Sequence, residues 1–477
     1  MENSFRYYTW FQKVMSVFID IFFHVVPLAS LYVFTSFLSG SLKYIVFILL
    51  IAVYLTVIYF FKDKIYKLAC QLLKKINTLD VKTMLVFIVV SLILIKTVFT
   101  ILFNYDGTQS GDIKIYNDIA EEILQTGDIH SMAISHLYGL ALHFVVLKLI
   151  GLPIHIGLFI AIGIGIVVNF FSFKDIIGKD KAFLATMFYI LMPSTAFFTF
   201  SPTHEVFVFM YISIFLFFFN KLIKENRVSF VIVDAVIVVA STVLTCFVNP
   251  GGYIIYIIMI LAVLLSNVIM KKKVIIVICL LASFICSNGI SKFLNVNEYN
   301  TSMNTYTILI HGVNPNSLGE QEDGYPLKQM RMYIHNNTLD FSNEGFIDAA
   351  KHVLIEHYLY LLKHPDVLIK LIVHKMYILW SGVHYPIELA HFYDAVSGVP
   401  YLAFLGINTL IYLFVFTIGV VYNRKKDDEI SISNYKLELL GVIALTLLCI
   451  VVNKYSVYVT MFIYMISFYR AEFTDEV

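Results

Sequence analysis

Charge is scarce in this chain. Only 14% of its 477 residues are Asp, Glu, Lys or Arg, where soluble globular domains carry about 25%. That shortfall excludes an ordinary soluble enzyme. The formal net charge is +1, so no electrostatic footprint for nucleic acid exists. Cysteine is sparse too. Cys70, Cys246, Cys279, Cys286 and Cys449 lie in or beside apolar segments without metal-type spacing. They read as buried thiols and not as a disulfide framework or a zinc site. Glycine-rich phosphate loops and dinucleotide fingerprints are missing as well. An activated cytosolic nucleotide therefore has no recognisable seat.

What fills the chain is apolar: 59% of residues are hydrophobic. Runs of about 17–25 such residues, each long enough to cross a bilayer, recur throughout. Spans are expected near 15–38, 43–61, 83–103, 154–172, 182–199, 206–220, 229–247, 253–270 and 274–289. Three more are expected near 400–422, 437–452 and 455–469. Weaker apolar segments lie at 133–150 and 366–382. The start, Met1-Glu2-Asn3-Ser4, leads into the first run without a cleavage-like site, so no removable signal peptide is expected.

Lysine-rich short loops give the orientation, since such loops stay cytoplasmic. One holds Lys62, Lys64, Lys67, Lys74, Lys75 and Lys82; another holds Lys174, Lys179 and Lys181. Later ones hold Lys221, Lys224 and Arg227, then Lys271 to Lys273, then Arg424 to Lys426. Loops on one side are separated by an even number of crossings. Three apolar segments separate Lys82 from Lys174, so one of them stays on one side. The weakest is 133–150, with His136, His143 and Lys148; it reads as re-entrant or interfacial. The same parity argument keeps 366–382, with His374 and Lys375, at the outer face. The expectation is an all-α polytopic membrane protein with about 12 transmembrane helices and outer-face amphipathic or re-entrant helices. Residues 104–132, the loop Ser201-Pro202-Thr203-His204-Glu205 and the polar stretch 290–365 then share the extracytoplasmic side.

Carboxylates gather in the first of these regions. Residues 112–126 read as a helix, with Ile113, Tyr116, Ile119/Ala120 and Ile123/Leu124 on one apolar stripe and Asp118, Glu121 and Glu122 largely off it. Asp112 stands at the helix start and Gly127 at its stop. Asp112 is either a plain cap or a general base able to deprotonate an acceptor hydroxyl at the membrane surface. Glu205 opens a later span. It is either a carboxylate favoured by the helix dipole or a second acid facing Asp112, orienting an acceptor or sharing a metal ion. His204 beside it is a candidate phosphate contact. Lys96 lies about two turns inside its span and either snorkels to headgroups or serves a site. Arg331, the one arginine of the stretch 290–365, and Lys454, between the last two spans, are further candidate phosphate contacts.

The order of these features resembles the GT-C superfamily of membrane glycosyltransferases, which includes protein O-mannosyltransferases and aminoarabinose transferases. The likeness runs through Asp112-Ile113-Lys114-Ile115-Tyr116, then Gly127-Asp128-Ile129. It continues with Tyr138-Gly139, Leu149-Ile150-Gly151, Leu191-Met192-Pro193 and Glu205, and covers residues 80–290 best. Ile113 stands where the family has Glu. Lys375 with Trp380, and the turn Asn453-Lys454-Tyr455, resemble later family features. The resemblance implies a polyprenyl-phosphate-linked sugar donor, an extracytoplasmic active site in the cell membrane and inversion at the anomeric carbon. By it Asp112 is the catalytic base and Glu205 the second acid, with Tyr116, Lys375 and Lys454 at matching positions; joined by His204, Lys96 and Arg331, candidates on the residues' own chemistry, these make the expected substrate-binding set. No cofactor is required by the motifs, and a divalent metal stays open.

The expected organisation is an accessory transmembrane pair and cytoplasmic loop over 1–80 and a catalytic transmembrane module over 81–290, with its first outer loop at 104–153. An extracytoplasmic region with interfacial helices over 291–399 and C-terminal transmembrane helices over 400–477 follow. The acceptor is a lipid, a glycopolymer or a protein hydroxyl; nucleic acid is not a partner. The alternatives are a cell-surface polysaccharide polymerase or ligase, disfavoured by the scarcity of arginine, and a lipid-linked sugar transporter or flippase, which would need paired repeats and broken midplane helices.

Overall fold

In the computed structural model the described residues are 40–103, 112–127, 135–192, 204–224, 228–248, 270–293, 309–316, 325–337, 342–380 and 399–421. Isolated positions in 24–38 and at 195, 306 and 307 complete the set. Among the described residues the secondary structure is helical, without a strand. In chain order the helices are α1 (Gly40–Asn77), α2 (Val81–Phe103), α3 (Asp112–Thr126), α4 (Ser135–Leu149) and α5 (Ile154–Ile177). Next come α6 (Lys179–Leu191), α7 (His204–Lys224), α8 (Val228–Val248) and α9 (Met270–Phe293). α10 (Tyr325–Asn336), α11 (Asn343–Lys363), α12 (Pro365–Trp380) and α13 (Val399–Val421) follow.

Among the described residues four stretches are long and apolar enough to cross a bilayer: Gly40–Asn77, Val81–Val98, Ile154–Ile177 and Val231–Val248. The apolar parts described in α4, α7, α9 and α13 are shorter. This is the architecture of a helical membrane protein. The expected spans 437–452 and 455–469, residues 253–269 of the span 253–270, most of 15–38, and Lys454 lie outside the described residues.

Two elements depart from expectation. The lysine-rich stretch 62–77 is helical and not a loop, because α1 runs unbroken for 38 residues. Its straight-chain lysines and leucines favour helix, and Ala69, Leu73 and Ile76, spaced by four and three, are buried. The expected span 182–199 is not one continuous helix. α6 stops after 13 residues at Leu191, where the coming Pro193 disfavours helical backbone at the residue before it.

One apolar core joins α1 to α9 with α13. It is built around Met84 and Ile88 of α2, Ile166 and Phe170 of α5, Phe209, Phe215 and Phe219 of α7, Val238 of α8, Ile276 of α9, and Tyr412 and Phe416 of α13. Close approach of α5 to α7 depends on a glycine. A Cβ on Gly165 would fall 2.6 Å from a ring carbon of Phe209, and small residues at such crossings let helices in a membrane pack tightly. A second, smaller core holds Ile310, Tyr325, Met330, Ile334, Ala349, Ala350 and Val353. It binds residues 309–316, α10 and α11 together, and Val313 continues it toward Leu361 of α11 and Leu371 of α12.

Helix directions follow from single contacts. Gly165 of α5 meets Phe209 of α7, and Asn169 of α5 donates to Ser213 of α7. The numbers rise together, so α5 and α7 run parallel and start at the same end. Lys96, late in α2, donates to the carbonyl of His155 at the start of α5 at 3.4 Å. The last turns of α2 therefore reach that same end. At the other end Lys179 Nζ donates to the Leu79 carbonyl at 2.9 Å. This joins the two lysine-rich connections on one side of the bundle, as the parity argument requires.

Candidate functional site

The end where α5 and α7 start is crossed by α4. Its residues Gly139, His143 and Leu147 are spaced i, i+4, i+8, one stripe on a helix, and each meets a different partner. A Cβ on Gly139 would lie 2.7 Å from Val248 Cα, at the close of α8. The His143 ring stands 4.6 Å from the Phe207 ring and contacts Tyr211, both on α7. Leu147 fills the space over Gly157 in the first turn of α5. An element touching the last turn of α8 and the first turns of α5 and α7 lies across the bundle end and does not pass through it.

His143 is held by two hydrogen bonds, from Nδ1 to the Gly139 carbonyl and between Nε2 and the Tyr211 hydroxyl. A carbonyl only accepts, so Nδ1 carries the proton and the neutral ring's Nε2 accepts from Tyr211. Burial pushes this imidazole below its ordinary 6.5, and the Gly139 carbonyl opposes that shift. The ring is therefore neutral near pH 7.

α3 packs on α4. Its apolar stripe is buried at Tyr116 and Ala120 and half-buried at Ile119 and Ile123, while Asp118, Glu121 and Glu122 are exposed. Leu124, expected on the stripe, is 40% exposed. Lys148 of α4 pairs with Glu121 at 2.6 Å. That hydrogen bond, and then the charge behind it, holds the Glu121 carboxyl below the usual carboxylate range.

The candidate residues divide accordingly. Asp112 is the first residue of α3, and His204 and Glu205 are the first two of α7; their side chains are outside the described residues. Tyr116 is buried between α3 and the main core. Lys96 is half-buried, its Nζ 5.3 Å from the Phe159 ring centroid. These five belong to helices that meet at the α4 end. Arg331 is exposed on α10, and Lys375 is 4% exposed on α12; both belong to the helices of the second core. Among the described residues, no group of three or more His, Cys, Asp or Glu is placed to hold a metal ion.

Two features escaped the sequence reading. The bond between His143 and Tyr211 links residues 68 apart, and no local pattern announces it. Asp234 had a signal that was passed over: a carboxylate within the apolar run 229–247. It is 6% exposed in α8, and an ionisable side chain inside a span marks function by default.

Fold and site together define a class, an all-helical membrane protein whose bundle is crossed at one end by an apolar helix carrying an amphipathic one. No protein-family model, curated protein or solved structure matches the chain.

Proposed function

We propose that this protein is a membrane glycosyltransferase of the GT-C type. It moves a sugar from a polyprenyl-phosphate donor to an acceptor hydroxyl at the extracytoplasmic face, with inversion. One observation carries the reading. α4, which lies against the opening turns of α7, also carries α3, the helix that Asp112 opens. The two carboxylates singled out from sequence, Asp112 and Glu205, thus stand at the starts of helices bridged by one element.

In this reading Asp112 is the general base, taking the acceptor proton as the hydroxyl attacks the anomeric carbon. The donor phosphate leaves from the opposite face as an anion close to the hydrocarbon. A cation at that depth stabilises the developing charge, and Lys96, two residues from the end of its apolar window, supplies it. Glu205 orients the acceptor. The isoprenoid tail lies among the spans. About 12 crossings place both termini in the cytoplasm and the α4 end outside.

The test is transfer by purified protein in liposomes carrying a polyprenyl-phosphate sugar. Asp112→Asn lowers turnover by about 10²–10⁴-fold, the usual contribution of a positioned base. Full transfer by this variant refutes the assignment. Sidedness is checked by labelling cysteines placed at Ser110 and Glu320 from outside intact cells. Failure at both positions inverts the topology.

A further inference from the structure

Helix α11 carries three longitudinal faces where an ordinary amphipathic helix has two. At about 100° per residue, Ala350, Val353, Leu354 and Leu361 share one face. It is turned into the second core and its extension. His352, Glu356, Tyr360 and Lys363 share a second, exposed and polar. Ile355, Tyr358, Leu359 and Leu362 form a third face that is apolar and uncovered: Ile355 is 53% exposed, Leu359 48% and Leu362 71%. Beyond the turn at His364, α12 exposes further apolar side chains, Ile369 at 60% and Val373 at 58%. A contiguous apolar strip of this kind on a soluble surface is rare and marks an interaction site.

The third face is not apolar along its whole length. Traced toward the start of α11, the same stripe becomes Lys351, Asp348 and Glu344, all exposed, with Lys351 Nζ 3.1 Å from Asp348 Oδ1. Within one straight helix, one face thus changes from ion pair to hydrocarbon between Lys351 and Ile355. A protein partner gives no reason for a boundary so sharp and so placed. The edge of a bilayer does. Tyr358 lies within the strip, as rings do at the headgroup level. Lys363 and Lys370 flank it, with stems long enough to carry their ammonium groups to phosphates. Lipid is at hand, since the chain holds helices of bilayer length before this region in sequence.

We propose that the α11–α12 hairpin seats the strip Ile355, Tyr358, Leu359 and Leu362, together with Ile369 and Val373, in the interfacial layer of the bilayer, and that Lys351 marks where α11 emerges into water. α11 enters the interfacial layer at a slant, with its buried face on the second core and its polar face toward solvent. This is independent of the glycosyltransferase reading and holds whether or not Asp112 is a base.

The test uses full-length protein in nanodiscs. In a background with the native cysteines replaced, single cysteines at Glu344, Asp348, Ile355, Leu359, Leu362 and Ile369 are labelled with an environment-sensitive fluorophore. Brominated phosphatidylcholine quenches emission at least twofold at Ile355, Leu359, Leu362 and Ile369 and leaves Glu344 and Asp348 unchanged. Quenching of the first four by aqueous iodide places the strip in water and overturns the proposal. Quenching by neither agent means protein covers it, which also overturns it. A second measurement needs no substitution. Hydroxyl-radical labelling of the wild-type protein in liposomes modifies His352 and Tyr360 and spares Tyr358; equal modification of Tyr358 refutes the seating.

Discussion

Gly139 gives a test of sign. It is an interior residue of α4, where replacing glycine by alanine normally stabilises a helix by up to about 1 kcal/mol. Here the added Cβ would stand 2.7 Å from Val248 Cα and closer still to the Phe247 carbonyl. Those are backbone atoms and cannot rotate away. To reach ordinary contact with the Phe247 carbonyl α4 must retreat by about 1 Å, in an interior packed too densely to absorb it locally. Overpacking of this kind costs about 1–3 kcal/mol. Four residues on, the same retreat stretches the His143–Tyr211 hydrogen bond. Gly163 of α5 is the control, since a Cβ there meets nothing within 4 Å. Both variants gain the same helix propensity, so their difference isolates the close approach. Gly139→Ala is expected to be less stable than Gly163→Ala by about 1–3 kcal/mol. Thermal unfolding in one detergent or nanodisc, followed by fluorescence, reads this as a midpoint lower by a few degrees. If Gly139→Ala melts at or above Gly163→Ala, α4 does not lie against the end of α8, and the cap that brings α3 to α7 is wrongly placed.

Tyr211→Phe removes the hydroxyl that satisfies His143 Nε2 and should cost about 1–3 kcal/mol, the usual penalty for a stranded buried acceptor, measured by denaturant titration against His143→Phe. The depressed His143 pKa gives a pH sign. The unfolded chain takes up the proton first, so stability is full above about 6.5 and falls as pH drops toward the lower folded value; His143→Phe should lack that limb. Ser213→Ala leaves the buried Asn169 amide without the acceptor it now has, costing about 1–2 kcal/mol, while the double change with Asn169→Leu should be closer to wild type. The Glu121–Lys148 pair has a half-exposed carboxylate, and a double-mutant cycle should return about 0.2–1 kcal/mol. That contribution is present above the unfolded carboxylate range and is lost as pH falls through the lowered Glu121 value.

Periodicity and length determined much of this protein from sequence. Apolar runs fixed where helices form, because a backbone in lipid must satisfy its own hydrogen bonds. The stripe through Tyr116 and Ala120 fixed which face of 112–126 is buried. Lysine placement fixed which connections share an end, and the Lys179–Leu79 bond joins two of them. Local rules were weaker where helix propensity continued past the bilayer, as in α1, or where a proline cut a run short, as after Leu191. Tertiary structure alone decided the rest. That α4 lies across the bundle end follows from three contacts with three helices, and that Tyr211 answers His143 follows from a distance in space. A single chain's order records which residues are apolar and at what interval. It carries no record of which faces meet, since van der Waals contact and hydrogen bonding act on separations that only the folded bundle sets.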